Sequence, residues 1–278
     1  MDTAGDCKHV GRVWIRVTCS LYFRMEESTP LILMLRPRID IRQWVARETY
    51  TLEPKVPVTS FTDIFGNHCQ RLVAPRGEFR VETSADVMTT DTPEQISHNY
   101  FVEIPDLPES TLIYLHPSRY CESDRFNQMA CEIVGDQAPG YDQVIAIKDW
   151  IQRTIKYQPE SSVFPESAVE VNQKGIGVCR DLAHLGITLC RSISIPARMV
   201  VGYLHGLQPM DLHAWFEVFV GGNWRTIDPT QKDLRAGRVA IAYGRDAADV
   251  AIYTQFGPPA LHTSINVSVG LPEEDSID

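Results

Sequence analysis

The stretch LHAWFEVFVGGNWRTID, residues 212 to 228, reads as two strands joined by Gly221-Gly222. A Gly-Gly pair favours the two-residue hairpin turn in which both central residues take positive φ. With that turn Val220 faces Asn223, and counting back sets Trp215 opposite Asp228 and His213 opposite Thr230. Side chains alternate along a strand, so His213, Trp215, Asp228 and Thr230 fall on one face. His213 and Asp228 become a diagonal pair with Cβ atoms about 7 Å apart or somewhat less, close enough for carboxylate to reach imidazole. A slip of one residue would turn Asp228 to the opposite face.

Upstream, GIGVCRDLAHLG, residues 175 to 186, leads two glycines and a valine into a helical pattern. Cys179, Leu182, Ala183, Gly186, Leu189, Cys190 and Ile193 trace one face of a helix that starts at the cysteine. An earlier helix is read in YDQVIAIKDWIQRTIKY, where Val144, Ile147, Ile151 and Ile155 recur at helical spacing with Trp150 at the edge of their face. Between the cysteine helix and the hairpin lies IPARMVVGYL, apolar and strand-like. The second half is therefore α+β, with a helix set against a sheet.

The first half has a different texture. VWIRVTCSLYF, ARETYTL, QRLVAP and FRVETSADVM are rich in Val, Tyr, Thr and Phe and are broken by turn signals such as Phe65-Gly66-Asn67-His68. This predicts an N-terminal antiparallel β-sandwich domain. A segment with several prolines, from Thr90 to Pro117, serves as connector. The expected division is residues 1–118 for the β domain with its connector, 119–268 for the α+β domain, and 269–278 for an acidic tail.

The chain has 278 residues, 44% hydrophobic and 22% charged, which is ordinary globular composition. Its net charge of -10 argues against nucleic acid or an anionic membrane as the main partner. Seven cysteines, without a CxxC pair, fit free thiols in a reducing cytoplasm better than a disulfide framework. The opening residues lack the basic and apolar regions of a secretory signal. Apolar runs such as LILML are far short of the roughly 20 residues of a membrane span. The expected location is the cytoplasm.

A cysteine in the first turn of a helix lies near the positive end of the macrodipole and near unpaired backbone N–H groups, which favour thiolate over thiol. Arg180 beside it adds positive charge. An Asp on one imidazole nitrogen fixes the tautomer and raises the basicity of the other, which can take the thiol proton. Cys179, His213 and Asp228 together are the nucleophile, base and orienting group for acyl transfer through a thioester.

Other polar residues have weaker claims. Cys179, His184 and Cys190 cannot converge on a metal from one continuous helix, so no metal site is read here. His184 lies off the face of Cys179 and reads as structural. Asp181 suits a salt bridge or hydrogen bond near the site, with Arg198 as a candidate partner. Cys190 is about three turns along the helix from Cys179, too far to act as a resolving thiol.

GVCRDLAHL, SIPARMVVGYL and HAWFEVFVGGNWRTIDPT together resemble the core of the transglutaminase-like superfamily, papain-like in layout. YGRDAADV, residues 243 to 250, is similar to a segment of its bacterial branch, which carries an N-terminal β domain. The resemblance implies a papain-like α+β core with Cys179 as nucleophile, His213 as general base and acid, Asp228 orienting the histidine and Trp215 shielding the pair. It implies a peptide or protein amide as substrate and no cofactor. Water as acceptor makes a peptidase or amidase, the favoured expectation; an amine makes a crosslinking transferase, and a peptide-binding scaffold is a third alternative. One oxyanion donor is the Cys179 backbone N–H. Tyr157 and Gln173 are candidates for a second. QPESSVFPES, after Tyr157, departs from the Gly- and Thr-containing family pattern in a loop expected to line the acyl groove. Tyr243, Arg245 and Asp246 either line the cleft or form a fold-stabilising network.

Overall fold

The computed structural model describes residues 11–90, 99–162 and 164–272. The expectations for the first residues, for part of the connector and for the end of the acidic tail lie outside them. No helix among the described residues is long and apolar enough to cross a membrane.

The N-terminal half opens with β1 (Arg12–Met25), where Ile15, Val17, Cys19, Leu21, Phe23 and Met25 are buried at a strict period of two. There follow β2 (Thr29–Leu33), β3 (Trp44–Glu53), β4 (Val58–Thr62), β5 (His68–Ala74) and β6 (Gly77–Thr90). The turn expected around Phe65-Gly66-Asn67 joins β4 to β5 in antiparallel register. A short helix, α1 (Glu109–Leu112), then leads to α2 (Asn127–Val134), α3 (Tyr141–Thr154), β7 (Lys156–Tyr157), α4 (Ala168–Lys174), β8 (Ile176–Gly177) and α5 (Cys179–Ser192). The chain continues through β9 (Ala197–Leu204), β10 (His213–Val220), β11 (Asn223–Ile227), β12 (Arg238–Gly244), β13 (Tyr253–Gln255) and β14 (His262–Gly270).

Two four-stranded antiparallel sheets, β14-β1-β6-β3 and β13-β2-β5-β4, make the sandwich. They meet where the Phe23 ring of β1 lies edge-on to Tyr253 of β13 at 5.1 Å. This corrects the expected boundary near residue 268: β13 and β14 return from the C-terminal half to complete the N-terminal sheets. The alternation of HTSINVSVG is weak because its residues are half buried or exposed at a sheet edge, so the sequence pattern did not mark it.

The third sheet, β11-β10-β9-β12, is the α+β core. Gly221 and Gly222 take φ of 58° and 77°, and β10 pairs with β11 from Val220↔Asn223 to Phe216↔Ile227, the register that the turn predicts. Buried α5 covers one face of this sheet, with Gly186 on Phe216. The other face meets the sandwich. There the Gln43 side chain accepts from the Ala240 N–H and donates to the Ala240 carbonyl, both at 2.8 Å. Asn67 does the same to Tyr243, at 2.9 and 2.8 Å. Two side-chain amides thus occupy the open edge of β12 as an adjacent strand would.

Candidate active site

The cysteine arrives at the site by a local device. The carboxylate of Asp181, three residues into α5, accepts from the Val178 N–H at 3.2 Å, half of a capping box that fixes where the helix begins. Arg180 donates to Asp181 at 3.2 Å and reaches outward to Ser162 Oγ at 3.0 Å and the Phe164 carbonyl at 2.9 Å. The expected partner Arg198 is elsewhere, paired with Glu217 at 2.6 Å, because it sits on β9 and faces the sandwich side. Asp181 thus sets the start of the helix. Cys179 itself is half buried at its first position.

His213 and Asp228 are both buried, and His213 Nε2 lies 2.8 Å from Asp228 Oδ2. Three further donors converge on that carboxylate. Arg238 Nη2 donates to Oδ2 at 2.8 Å, while Thr230 donates to Oδ1 through its hydroxyl at 2.7 Å and its N–H at 3.0 Å. Burial alone would raise the Asp228 pKa, but these hydrogen bonds and the charges of Arg238 and His213 hold it well below the usual carboxylate range. An ionised carboxylate accepts only, so Nε2 carries the proton and Nδ1 is left as the basic nitrogen. Burial lowers the His213 pKa, yet hydrogen bonds to Asp228 and to Cys179 outweigh it and lift the imidazole to about 9.

The Trp215 ring stacks on His213 with centroids 6.1 Å apart and shields it on the sandwich side. Gln152 on α3 donates to the carbonyls of Pro229 and Gln231 at 3.1 and 2.7 Å, clamping the turn that carries Asp228. Tyr157 pairs with Gly177 in the two-stranded β7-β8 ladder, which puts it beside the start of α5. Burial and then the negative charges of Cys179, Asp211 and Asp228 push its phenol up to about 12.

Two other expected site residues lie elsewhere. Gln173 is exposed near the end of α4, whose buried residues are Ala168 and Val171, so its amide faces solvent and does not join the cluster. Tyr243 sits on β12 at the domain interface, its hydroxyl donating to Asp40 at 3.2 Å and its ring under Arg38 and Arg198. Arg245 pairs with Asp249 at 2.8 Å, and Asp246 accepts from the N–H groups of Tyr120 and Ala248. The YGRDAADV segment is thus a fold-stabilising network. His184 is structural too: its Nδ1 donates to the Glu166 carbonyl at 2.8 Å, and its Nε2 accepts from Ala247 at 3.1 Å.

Arg238 is the residue that sequence reading missed. It lies on β12, brought to Asp228 across the sheet, and its stretch QKDLRAGRV carries no local sign of that pairing.

Residues 127–229, which include Cys179, His213 and Asp228, match the model of the transglutaminase-like superfamily. A crystal structure of a candidate cysteine protease from Cytophaga hutchinsonii superposes with a TM-score of 0.85 at 32% identity, covering 93% of this chain and 91% of that one. Protein ML0607 of Mycobacterium leprae is 27% identical over 252 residues, 84% of this chain and 90% of its own length. YebA of Bacillus subtilis is 25% identical over 129 residues, 39% of this chain and 18% of YebA. Similar along nearly its whole length to the Cytophaga chain and matched by the family model across the cysteine helix and the hairpin, the chain belongs to the transglutaminase-like superfamily.

Proposed function

We propose that the protein is a thiol-dependent hydrolase of peptide or related amide bonds that works through a Cys179 thioester. The observation that carries the reading is the buried His213–Asp228 contact of 2.8 Å, with half-buried Cys179 among the groups that raise the same imidazole. Because His213 titrates near 9, its Nδ1 holds the thiol proton before substrate arrives, and the sulfur attacks the amide carbonyl carbon. The oxyanion that forms is met by backbone N–H groups of the first turn of α5, which have no intrahelical partner. The C–N bond then breaks, His213 returns the proton to the leaving amine, and a thioester remains. Water, deprotonated by His213, attacks the thioester carbonyl, and the acid and free thiol are released. Asp228 stays ionised throughout and stabilises the imidazolium.

The six described cysteines are free, which supports a reducing cytoplasm as the place of action. The test is to quench the protein in acid after brief exposure to a mixed peptide pool, then read the mass added to the Cys179 peptide. An acyl adduct that decays in water, and is missing in His213→Ala, supports the reading. Decay only when a primary amine is added would make the protein a transferase. The reading is overturned if no adduct forms and Cys179 reacts with iodoacetamide below pH 7 no faster than a free thiol of pKa about 8.5.

A further inference from the structure

A half-open cavity of about 110 Å³, which reaches the His-Asp pair through Arg238, lies between the α+β sheet and the sandwich. One water needs roughly 15 Å³ in this measure, so a small organic ion fits. Arg42, Trp215, Glu217, Arg235, Arg238 and Tyr243 are among its walls. Glu217 is already held by Arg42 at 2.9 Å and by Arg198 at 2.6 Å. Trp215 is 2% exposed, and its Nε1–H meets no acceptor among the described residues. Arg238 spends Nη2 on Asp228, while its Nε and Nη1, also buried, likewise meet none. The guanidinium carbon lies 5.0 Å above the centre of the Trp215 ring, so the three donors belong to one neighbourhood.

Buried donors are ordinarily satisfied, because an unpaired one keeps the full penalty of its lost hydration. Three buried donors without a partner among the described residues, at a cavity where Arg42, Arg235 and Arg238 outnumber Glu217, call for an anion with several lone pairs. We propose that this cavity is a binding site for a small carboxylate, held by Arg238 and Trp215. The ligand would touch the guanidinium that shares the Asp228 oxygen with His213. A negative charge there offsets Arg238, strengthens the hold of Asp228 on the imidazolium and keeps His213 protonated to higher pH. Binding itself is independent of the proposed chemistry; this coupling rests on it.

The probe is sodium acetate, followed by saturation-transfer difference NMR on its methyl signal at ionic strength held constant with sodium chloride. The expected result is transfer that saturates with acetate, persists in Cys179→Ala, falls several-fold in Trp215→Phe, which removes the N–H together with the second ring, and is lost in Arg238→Gln. No transfer, or transfer unchanged in Trp215→Phe, overturns the site, and does so even where Arg238→Gln fails to fold. Loss of transfer in Cys179→Ala overturns it too, because acetate would then lie in the reactive cleft. If the site binds, acetate should also move the alkaline limb of the kcat/KM profile to higher pH. A bound but kinetically silent acetate would sink the coupling alone.

Discussion

Gly186 of α5 lies flat on Phe216 of β10, so close that a Cβ there would come within 2.4 Å of the ring. This contact sets how near the cysteine helix approaches the strand that begins with His213. Gly186→Ala must push the two apart or rotate the ring in a packed core, an overpacking that costs about 1–3 kcal/mol. The expected outcome is a lower unfolding midpoint and a larger loss in kcat than in KM, since the helix carries the thiol away from the imidazole. Denaturant unfolding and steady-state kinetics on one preparation check it. Unaltered kcat would show that the helix position is not set here.

Asp228→Ala removes the orienting group and leaves Arg238 buried without its carboxylate. Breaking a buried pair by deleting one partner costs about 3–5 kcal/mol. A base with the wrong tautomer also loses most of the roughly 10²–10⁴-fold supplied by proton transfer. Both effects are expected together, read as a fall in thermal midpoint and a loss of iodoacetamide labelling of Cys179 below pH 7. Asp228→Ala labelling at the wild-type rate would refute the orienting role.

The pKa directions make a third prediction. His213 is raised from the usual 6.5 to about 9, so its stabilising contribution is complete below pH 6.5 and disappears as pH climbs through about 9. Asp228 is depressed, so its contribution is present above about pH 4 and disappears only in strong acid. Wild-type stability should therefore decline between pH 6.5 and 9, and His213→Gln should flatten that limb. Equal slopes in the two proteins would rule out a protonated His213 in the folded state.

How much of this was legible beforehand follows the range of each interaction. The His213–Asp228 pair rests on a two-residue turn, and counting from Gly221-Gly222 places it, because register is rigid along a hairpin. The helix starting at Cys179 was equally local, marked by its apolar repeat, whereas the capping role of Asp181 showed only in the structure. Arg238, by contrast, reaches Asp228 across strands whose order the sequence does not state. The same holds for Tyr243, whose partner Asp40 is in the other domain. Spacing does not choose between Tyr157 and Gln173, and α4 turns the Gln173 amide to solvent before β8 begins. The return of β13 and β14 was hidden because edge strands half exposed to water lack clean alternation.

That return predicts how the protein tolerates shortening. A chain ending at residue 252 loses β14 from the whole span Arg16–Arg24 of β1 and β13 from Leu31–Leu33 of β2. It would expose a long flat strand with Leu21 and Phe23 in it, the kind of edge that aggregates. Such a chain should be recovered insoluble or elute as aggregate in size-exclusion chromatography, whereas one ending at 272 should remain monodisperse. A soluble, cooperatively folding chain 1–252 would show that the sandwich is complete without them.

The loop that departs from the family pattern is tied to the helix by one side chain. Arg180 holds Ser162 and the Phe164 carbonyl, and Lys174 adds a bond to the Ser161 carbonyl at 3.1 Å and a pair with Glu166 at 2.8 Å. Because Arg180 is spent on the loop, its effect on the thiol is indirect. Releasing the loop enlarges the ensemble the substrate must order, a cost of about 0.5–1.5 kcal/mol for each side chain immobilised on binding. Arg180→Ala is thus expected to raise KM for peptide substrates several-fold while the rate at which iodoacetamide, which needs no groove, labels Cys179 stays near wild type. Peptide kinetics set against that labelling rate separate the two. A parallel fall in labelling would mean that Arg180 acts on the thiolate itself.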